Sequence, residues 1–136
     1  MKKSILILGV FALGLGLASF TNSPEKPSTE IEKAAIAVID WEKKTLDAGQ
    51  VTKGNPVVLT FEFSNSGEVP LTIHNVKPSC GCTVASFPKE PIMPGETAKI
   101  KTTYNAAKIG KFRKSVVVTS NTDPAKQTLI ITGEVI

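Results

Sequence analysis

Between Pro56 and Asn65 the chain alternates without a break: Val57, Leu59, Phe61 and Phe63 occupy one set of positions, Val58, Thr60, Glu62 and Ser64 the other. Successive side chains of a strand point to opposite faces, whereas a helix repeats every 3.6 residues, so this segment reads as a half-buried strand central to a core. The same grammar runs from Ile36 to the C-terminus. Ile36 to Glu42 is a first strand, and Thr45 to Val51 continues it across a break at Lys43 and Lys44. Asn65 to Glu68 is a turn, after which Leu71 and Ile73 point inward and Thr72 and His74 outward. Thr83 to Phe87 is a short strand or extended connection. Pro88, Pro91, Pro94 and Gly95 follow it, and prolines at that density exclude a central strand. Thr97 to Tyr104 sets Ala98, Ile100 and Tyr104 against Lys99, Lys101 and Thr103. Beyond Gly110, a strand containing Phe112, Val116 and Val118 is closed by Ser120 to Pro124, and Gln127 to Val135 makes the last strand, with Leu129, Ile131 and Val135 facing in.

Six or seven short strands over residues 36–136, separated by turn signals and lacking an amphipathic helix, describe an all-β, immunoglobulin-like sandwich of about seven strands. The antibody framework of Cys, Trp and Cys is absent: Cys80 and Cys82 lie two positions apart and Trp41 precedes both. With 136 residues in all, the chain has room for one such domain, and no long repeat points to collagen, coiled coil or solenoid.

The N-terminus is a different material. Lys2 and Lys3 precede an uninterrupted apolar and glycine run from Ile5 to Ala18, and polarity changes at Ser19. That order of charged, apolar and small residues reads as a secretory signal peptide over residues 1–18, cleaved near Ala18 or Ser19. The run falls short of the roughly 20 residues a spanning helix requires, so no stable membrane span is expected after cleavage. No cysteine follows either junction to carry a lipid, and the expected location is periplasmic or secreted. Residues 19–35 are rich in Pro, Ser, Thr and Glu and read as a flexible tether. The full chain carries a formal net charge of +4, and loss of Lys2 and Lys3 leaves +2, too little to argue for nucleic acid. The cluster Lys108, Lys111, Arg113 and Lys114 reads first as a solvated strand edge guarded by charge, with contact to an anionic glycan or lipid surface as the alternative.

Cys80 and Cys82, flanking Gly81, are the only thiols of an expectedly exported chain. In an oxidising compartment they pair with each other, pair with another molecule, bind a metal or are kept reduced. Three readings stay open. The pair locks a loop corner as a disulfide, Gly81 supplying backbone freedom; it exchanges with partner thiols; or, with His74 or Met93, it holds Cu(I) or another thiophilic metal. The single intervening residue departs from zinc-ribbon and thioredoxin spacing, which weakens the metal and redox signals. His74, the only histidine, falls on an outward position, and Asp40, Glu42, Asp47, Glu62 and Glu68 show no paired spacing for acid/base work. Nucleophile elbow, phosphate loop and H-E-x-x-H are all absent from the sequence, so an enzyme, a catalytic residue and a bound cofactor are not expected. Trp41 and Tyr104 read as core or core-edge aromatics.

Several short motifs occur together: Asn65, Gly67, Pro70 and Leu71 as N-x-G-x-x-P-L, Ser79 to Thr83 as S-C-G-C-T, Pro91 to Glu96 as P-I-x-P-G-E, Gly110 to Phe112 as G-x-F, and Gly133 to Val135 as G-E-V. In this combination the chain resembles the bacterial family known as domain of unknown function 1573, over residues 36–136. One departure is Asp47-Ala48-Gly49, where the family pattern has D-F-G, and it implies altered packing at one corner. The resemblance implies an exported immunoglobulin-like domain akin to the sperm-protein, pilus-chaperone and cilium-associated superfamily, with no activity attached. By fold-level analogy it favours a protein-binding or envelope-assembly module whose partner is another envelope protein, recognised at an edge strand or loop. The competing expectation is thiol-dependent metal binding or redox exchange at Cys80 and Cys82.

Overall fold

The computed structural model describes residues 35–136, with Gly9, Gly14 and Gly16 besides. The signal peptide and tether expected over residues 1–35 lie outside that range, Ala35 and the three glycines apart. The chain divides after Glu32, and all the strands belong to the second unit, Lys33–Ile136. Among the described residues no helix is long and apolar enough to cross a membrane.

Each alternating run forms a strand: β1 (Ile39–Trp41), β2 (Thr45–Val51), β3 (Val57–Asn65), β4 (Ile73–Pro78), β5 (Thr83–Ser86), β6 (Thr97–Tyr104), β7 (Gly110–Ser120) and β8 (Lys126–Val135). They make two four-stranded sheets, ordered β1-β3-β6-β5 and β2-β8-β7-β4. Eight strands replace the expected seven because the first two do not continue one another. At Glu42–Lys44 the chain leaves the first sheet, where β1 pairs antiparallel with β3, and enters the second, where β2 pairs parallel with β8. β3 thus keeps only the short β1 on its outer flank, while β8 gains β2 beside β7.

The inward positions read from the alternation form the core. Phe61, Phe63, Ile100, Tyr104, Val116, Val118, Leu129, Ile131 and Val135 are buried, and Val57 and Leu59 pack partly exposed against them. Trp41 lies against Phe63, ring centroids 4.9 Å apart, and donates its indole N–H to Gln127 Oε1 at 2.8 Å, tying β1 to β8 across the sandwich. Tyr104 stacks on Phe112 at 4.2 Å in the same way, joining β6 to β7. Both aromatics are therefore core residues. Thr102 shares the inward face of β6 and is fully buried, its hydroxyl donating to the Leu59 carbonyl at 3.1 Å. That bond satisfies a polar group that would otherwise be costly to bury.

Candidate functional site

β4 closes one edge of the second sheet and β5 the same-side edge of the first, so the four residues Ser79–Cys82 between them carry the chain from sheet to sheet. The crossing is pinned at each end. Ser79 N–H donates to the Ser115 carbonyl at 2.8 Å, and Ser79 Oγ accepts from the Ser115 amide at 3.2 Å. On the far side the Asn105 amide donates to the Cys82 carbonyl at 3.0 Å, and Thr83 N–H reaches back to the Cys80 carbonyl at 3.3 Å. The resulting turn sets the Cys80 and Cys82 α-carbons 5.3 Å apart with their sulfurs in close contact, a backbone span ordinary for a disulfide. Both side chains are half-buried, and Thr83, buried beneath them, places its Oγ1 3.9 Å from Cys80 Sγ. Gly81 takes no left-handed φ, and a Cβ there would meet nothing within 4 Å. Its expected backbone freedom is not what makes the turn.

The other candidate ligands stand elsewhere. His74 is exposed at the opposite end of β4, with about 13 Å of strand between it and Pro78. Met93 follows Ile92, whose bridge to Leu71 places it at that same far end. No group of three or more His, Cys, Asp or Glu side chains poised for a metal occurs among the described residues. The structure thus keeps the two cysteines together and brings neither His74 nor Met93 to them. The basic cluster lies where its charged-edge reading puts it: β4 pairs with β7 only at Val116–Ser120, so Lys111 and Arg113 stand on the stretch Gly110–Lys114, which has β8 on one side and no paired strand on the other. Lys114 falls on the inward phase with Phe112 and Val116 and is half-buried, while Lys108 sits in the loop before β7.

The remaining motifs resolve into two backbone knots. Asn65 is fully buried; its Nδ2 donates to the carbonyls of Val69 (2.8 Å) and Ile92 (2.9 Å), and its Oδ1 accepts from Gly67 N–H (2.9 Å). Glu96 Oε2 accepts from the Met93 amide at 2.9 Å in the same corner, where Gly95 takes a φ of 82°. At the other end, the Phe112 ring lies so close over Gly133 that a Cβ would come within 2.6 Å of it and 3.0 Å of the Gly49 carbonyl. Gly49 itself turns at a φ of 66°, its amide held by Asp47 Oδ1 at 2.9 Å. A cleft of about 370 Å³ opens beside this knot, walled by Asp47, Gln50, Lys111, Thr132 and Glu134. Ala48, where the family pattern has Phe, is half-buried in the adjoining strand. Each of these motifs is thus accounted for by hydrogen bonds or close packing, and in the cysteine turn Cys82 packs against the core while both cysteines stay partly exposed.

The four sheet edges differ in how they are protected. β1 is three residues long and carries Asp40. β2 has Asp47 and a register shift between Asp47 and Gln50, while β4 has Lys77, ends on Pro78 and shifts between Ile73 and Asn75. β5, Thr-Val-Ala-Ser, has no charge, no proline, no glycine and unbroken register with β6. Its Val84 is 67% exposed, and across Thr103 on the same outer face stands Val58, 58% exposed. The periodicity of residues 83–87 was legible in the sequence, but which strands would be edges was not.

A family model described as protein of unknown function (DUF1573) matches residues 39–135. A search of curated proteins finds no match. Among solved structures, a protein of unknown function from Porphyromonas gingivalis W83 is similar at 20% identity and a TM-score of 0.66, covering 74% of this chain. The present chain spans about half, 48%, of that protein. The ASH/PapD-like domain 7 of human CEP192 is similar at 12% identity and a TM-score of 0.59, covering 84% of this chain and 96% of the domain. The secreted serine protease VesC of Vibrio cholerae matches at 11% identity and a TM-score of 0.53, over 77% of this chain and 24% of the protease. Identities this low establish a shared PapD-like and immunoglobulin-like fold, and the fold alone.

Proposed function

This chain belongs to the DUF1573 family, and on that footing we propose that it is an exported, non-catalytic binding or envelope-assembly module that takes an extended segment of a partner protein at β5. The observation that carries this reading is the unguarded β5 edge. Sheet edges offer unpaired N–H and C=O groups to any incoming strand, and folded proteins ordinarily blunt them with charge, proline, bulges or brevity. Three of the four edge strands carry charge, proline or a register shift, and β5, four residues long, carries none of them. Strand addition draws affinity from main-chain hydrogen bonds and selectivity from alternate side chains, which Val84 would meet on the outer face. Export rests on the charged, apolar and small-residue order of residues 1–18.

The test is a photoreactive residue at Ser86, next to Val84 on the same edge, in the protein expressed in its own cell. The expected result is one adduct of defined mass, lost when Val84→Lys is added and absent when the probe sits at Thr128 on the other sheet. Equal adducts at both positions, or none at Ser86, overturn the reading.

The cysteine turn supports a second reading, thiol exchange through a Cys80–Cys82 disulfide, because both sulfurs are half-exposed and in contact. The two readings part on one double variant: Cys80→Ser with Cys82→Ser leaves the Ser86 adduct in place if β5 is the functional element, and abolishes function if the sulfurs are. Intact mass under non-reducing conditions, with alkylation and metal analysis, reports the state of the pair directly.

A further inference from the structure

At the end of the sandwich that holds the cysteine turn, four segments are laced together by backbone hydrogen bonds. Lys53 N–H donates to the Ile136 carbonyl, Gly54 N–H to the Ala106 carbonyl and Asn105 N–H to the Cys82 carbonyl, at 2.9, 2.9 and 3.0 Å. Ala106, fully buried, is held at a φ of 49°, a left-handed conformation alanine rarely adopts, and Asn105 Oδ1 accepts from the Ala107 amide at 3.3 Å. From this pinned base the chain projects Lys108 and Ile109. Ile109 is 68% exposed, the most exposed of the large apolar side chains in the described residues. Ile136, beside Lys53, is 55% exposed.

The connecting segments at this end carry charge of one sign, while the strands beside Lys111 bring in Asp47 and Glu134. The connecting segments 52–56, 79–82 and 105–109 contain Lys53 and Lys108 and no Asp or Glu, and Lys111 is exposed just beyond Gly110. Glu134 stands opposite Lys111 in the β7–β8 register and is half-buried, yet among the described residues none of the three lysines makes an ion pair. Lys111 lies on the stretch of β7 that β4 does not cover.

We propose that this end of the domain docks on an anionic lipid surface, the three lysines among the headgroups and Ile109 inserted at the acyl boundary. Charge complementarity selects an anionic occupant, and the rigidly displayed isoleucine between lysines selects a bilayer over a soluble polyanion, which has no apolar phase to receive it. The docking is weak and reversible, because three basic side chains and one aliphatic one fall short of a permanent anchor.

The test is co-sedimentation of the exported protein with vesicles of phosphatidylcholine alone and of phosphatidylcholine with phosphatidylglycerol. All variants share one N-terminus, so ratios between them read this end alone. Binding is expected to the anionic vesicles only and to fall with added salt. Each lysine contributes roughly fivefold, so Lys53→Glu with Lys108→Glu and Lys111→Glu lowers it at least about 100-fold. Ile109→Ser lowers it roughly tenfold, and Lys126→Glu at the far end leaves it within about twofold. These positions are exposed, and unchanged melting confirms that the fold is intact. Absent or equal binding to both vesicles, or anionic binding that survives the triple reversal, overturns the proposal. So does anionic binding indifferent to Ile109→Ser, which would mark a surface for an acidic protein or polymer.

Discussion

Asn65 shows how much one residue carries. Its side chain satisfies two carbonyls and one amide from both flanking loops while fully buried. Asn65→Ala therefore strands several polar groups and should cost about 3 kcal/mol, read as a lower urea midpoint at unchanged slope. Glycines divide by the same reasoning. At Gly67 a Cβ would meet Val38 N at 2.6 Å, and at Gly133 the Phe112 ring at the same distance, so alanine at either should destabilise by at least about 1 kcal/mol. Gly81→Ala, with open space and no left-handed φ, should stay within about 0.5 kcal/mol of the parent. Thermal melts of the three variants side by side check the ordering. The sequence marks Asn65 and Gly67 as turn residues. It does not reveal that Asn65 also reaches Ile92, because that contact spans 27 positions and exists only once both loops are in place.

At the scale of elements, periodicity located the strands and long-range pairing decided their neighbours. β2 spans Thr45–Val51 as its pattern implies, yet belongs to the sheet opposite β1. Exposed strand faces contribute little to stability. Glu62 and Lys99, directly opposed on β3 and β6, form an ion pair at 2.8 Å. Through that hydrogen bond and its charge, Glu62 raises the Lys99 amine above its ordinary 10.5. A raised amine favours the folded state below its unfolded value and loses that contribution as pH rises through the folded one, so the contribution is constant at neutral pH and is lost only above about 10.5. Both side chains of the pair are exposed, 59% and 48%, so Lys99→Met should leave the melting temperature at pH 7 nearly unchanged. Val84→Lys should likewise leave it unchanged, since Val84 is 67% exposed and contributes little burial. A shift of more than a few degrees would mean that β5 is held by packing rather than left open.

At the scale of the whole molecule, β8 is the closing piece. It pairs with β7 on one side and, in parallel, with β2 on the other, so the first strand of the second sheet waits for the last ten residues of the chain. A chain ending at Asp123 should therefore lack cooperative unfolding altogether, seen as loss of dispersed methyl resonances. The cysteine turn lies outside this closure. A bridge between positions two apart constrains little of the unfolded chain, so Cys80→Ser with Cys82→Ser should cost no more than about 2 kcal/mol in denaturant.

Alternation and turn residues are local, and local information sufficed for the strands, the inward faces and the all-β sandwich, while the Cys-Gly-Cys spacing left three readings of the cysteines open. The tertiary structure decided the rest: that β1 and β2 part company, that β4 covers only half of β7 and leaves its basic half as an edge, that His74 and Met93 stand far from the sulfurs, and that β5 is an edge without charge, proline or bulge. Each of these depends on which strands become hydrogen-bonded neighbours. That choice is made by backbone groups identical at every position, seeking partners anywhere along the chain, and the alternation of side chains does not encode it.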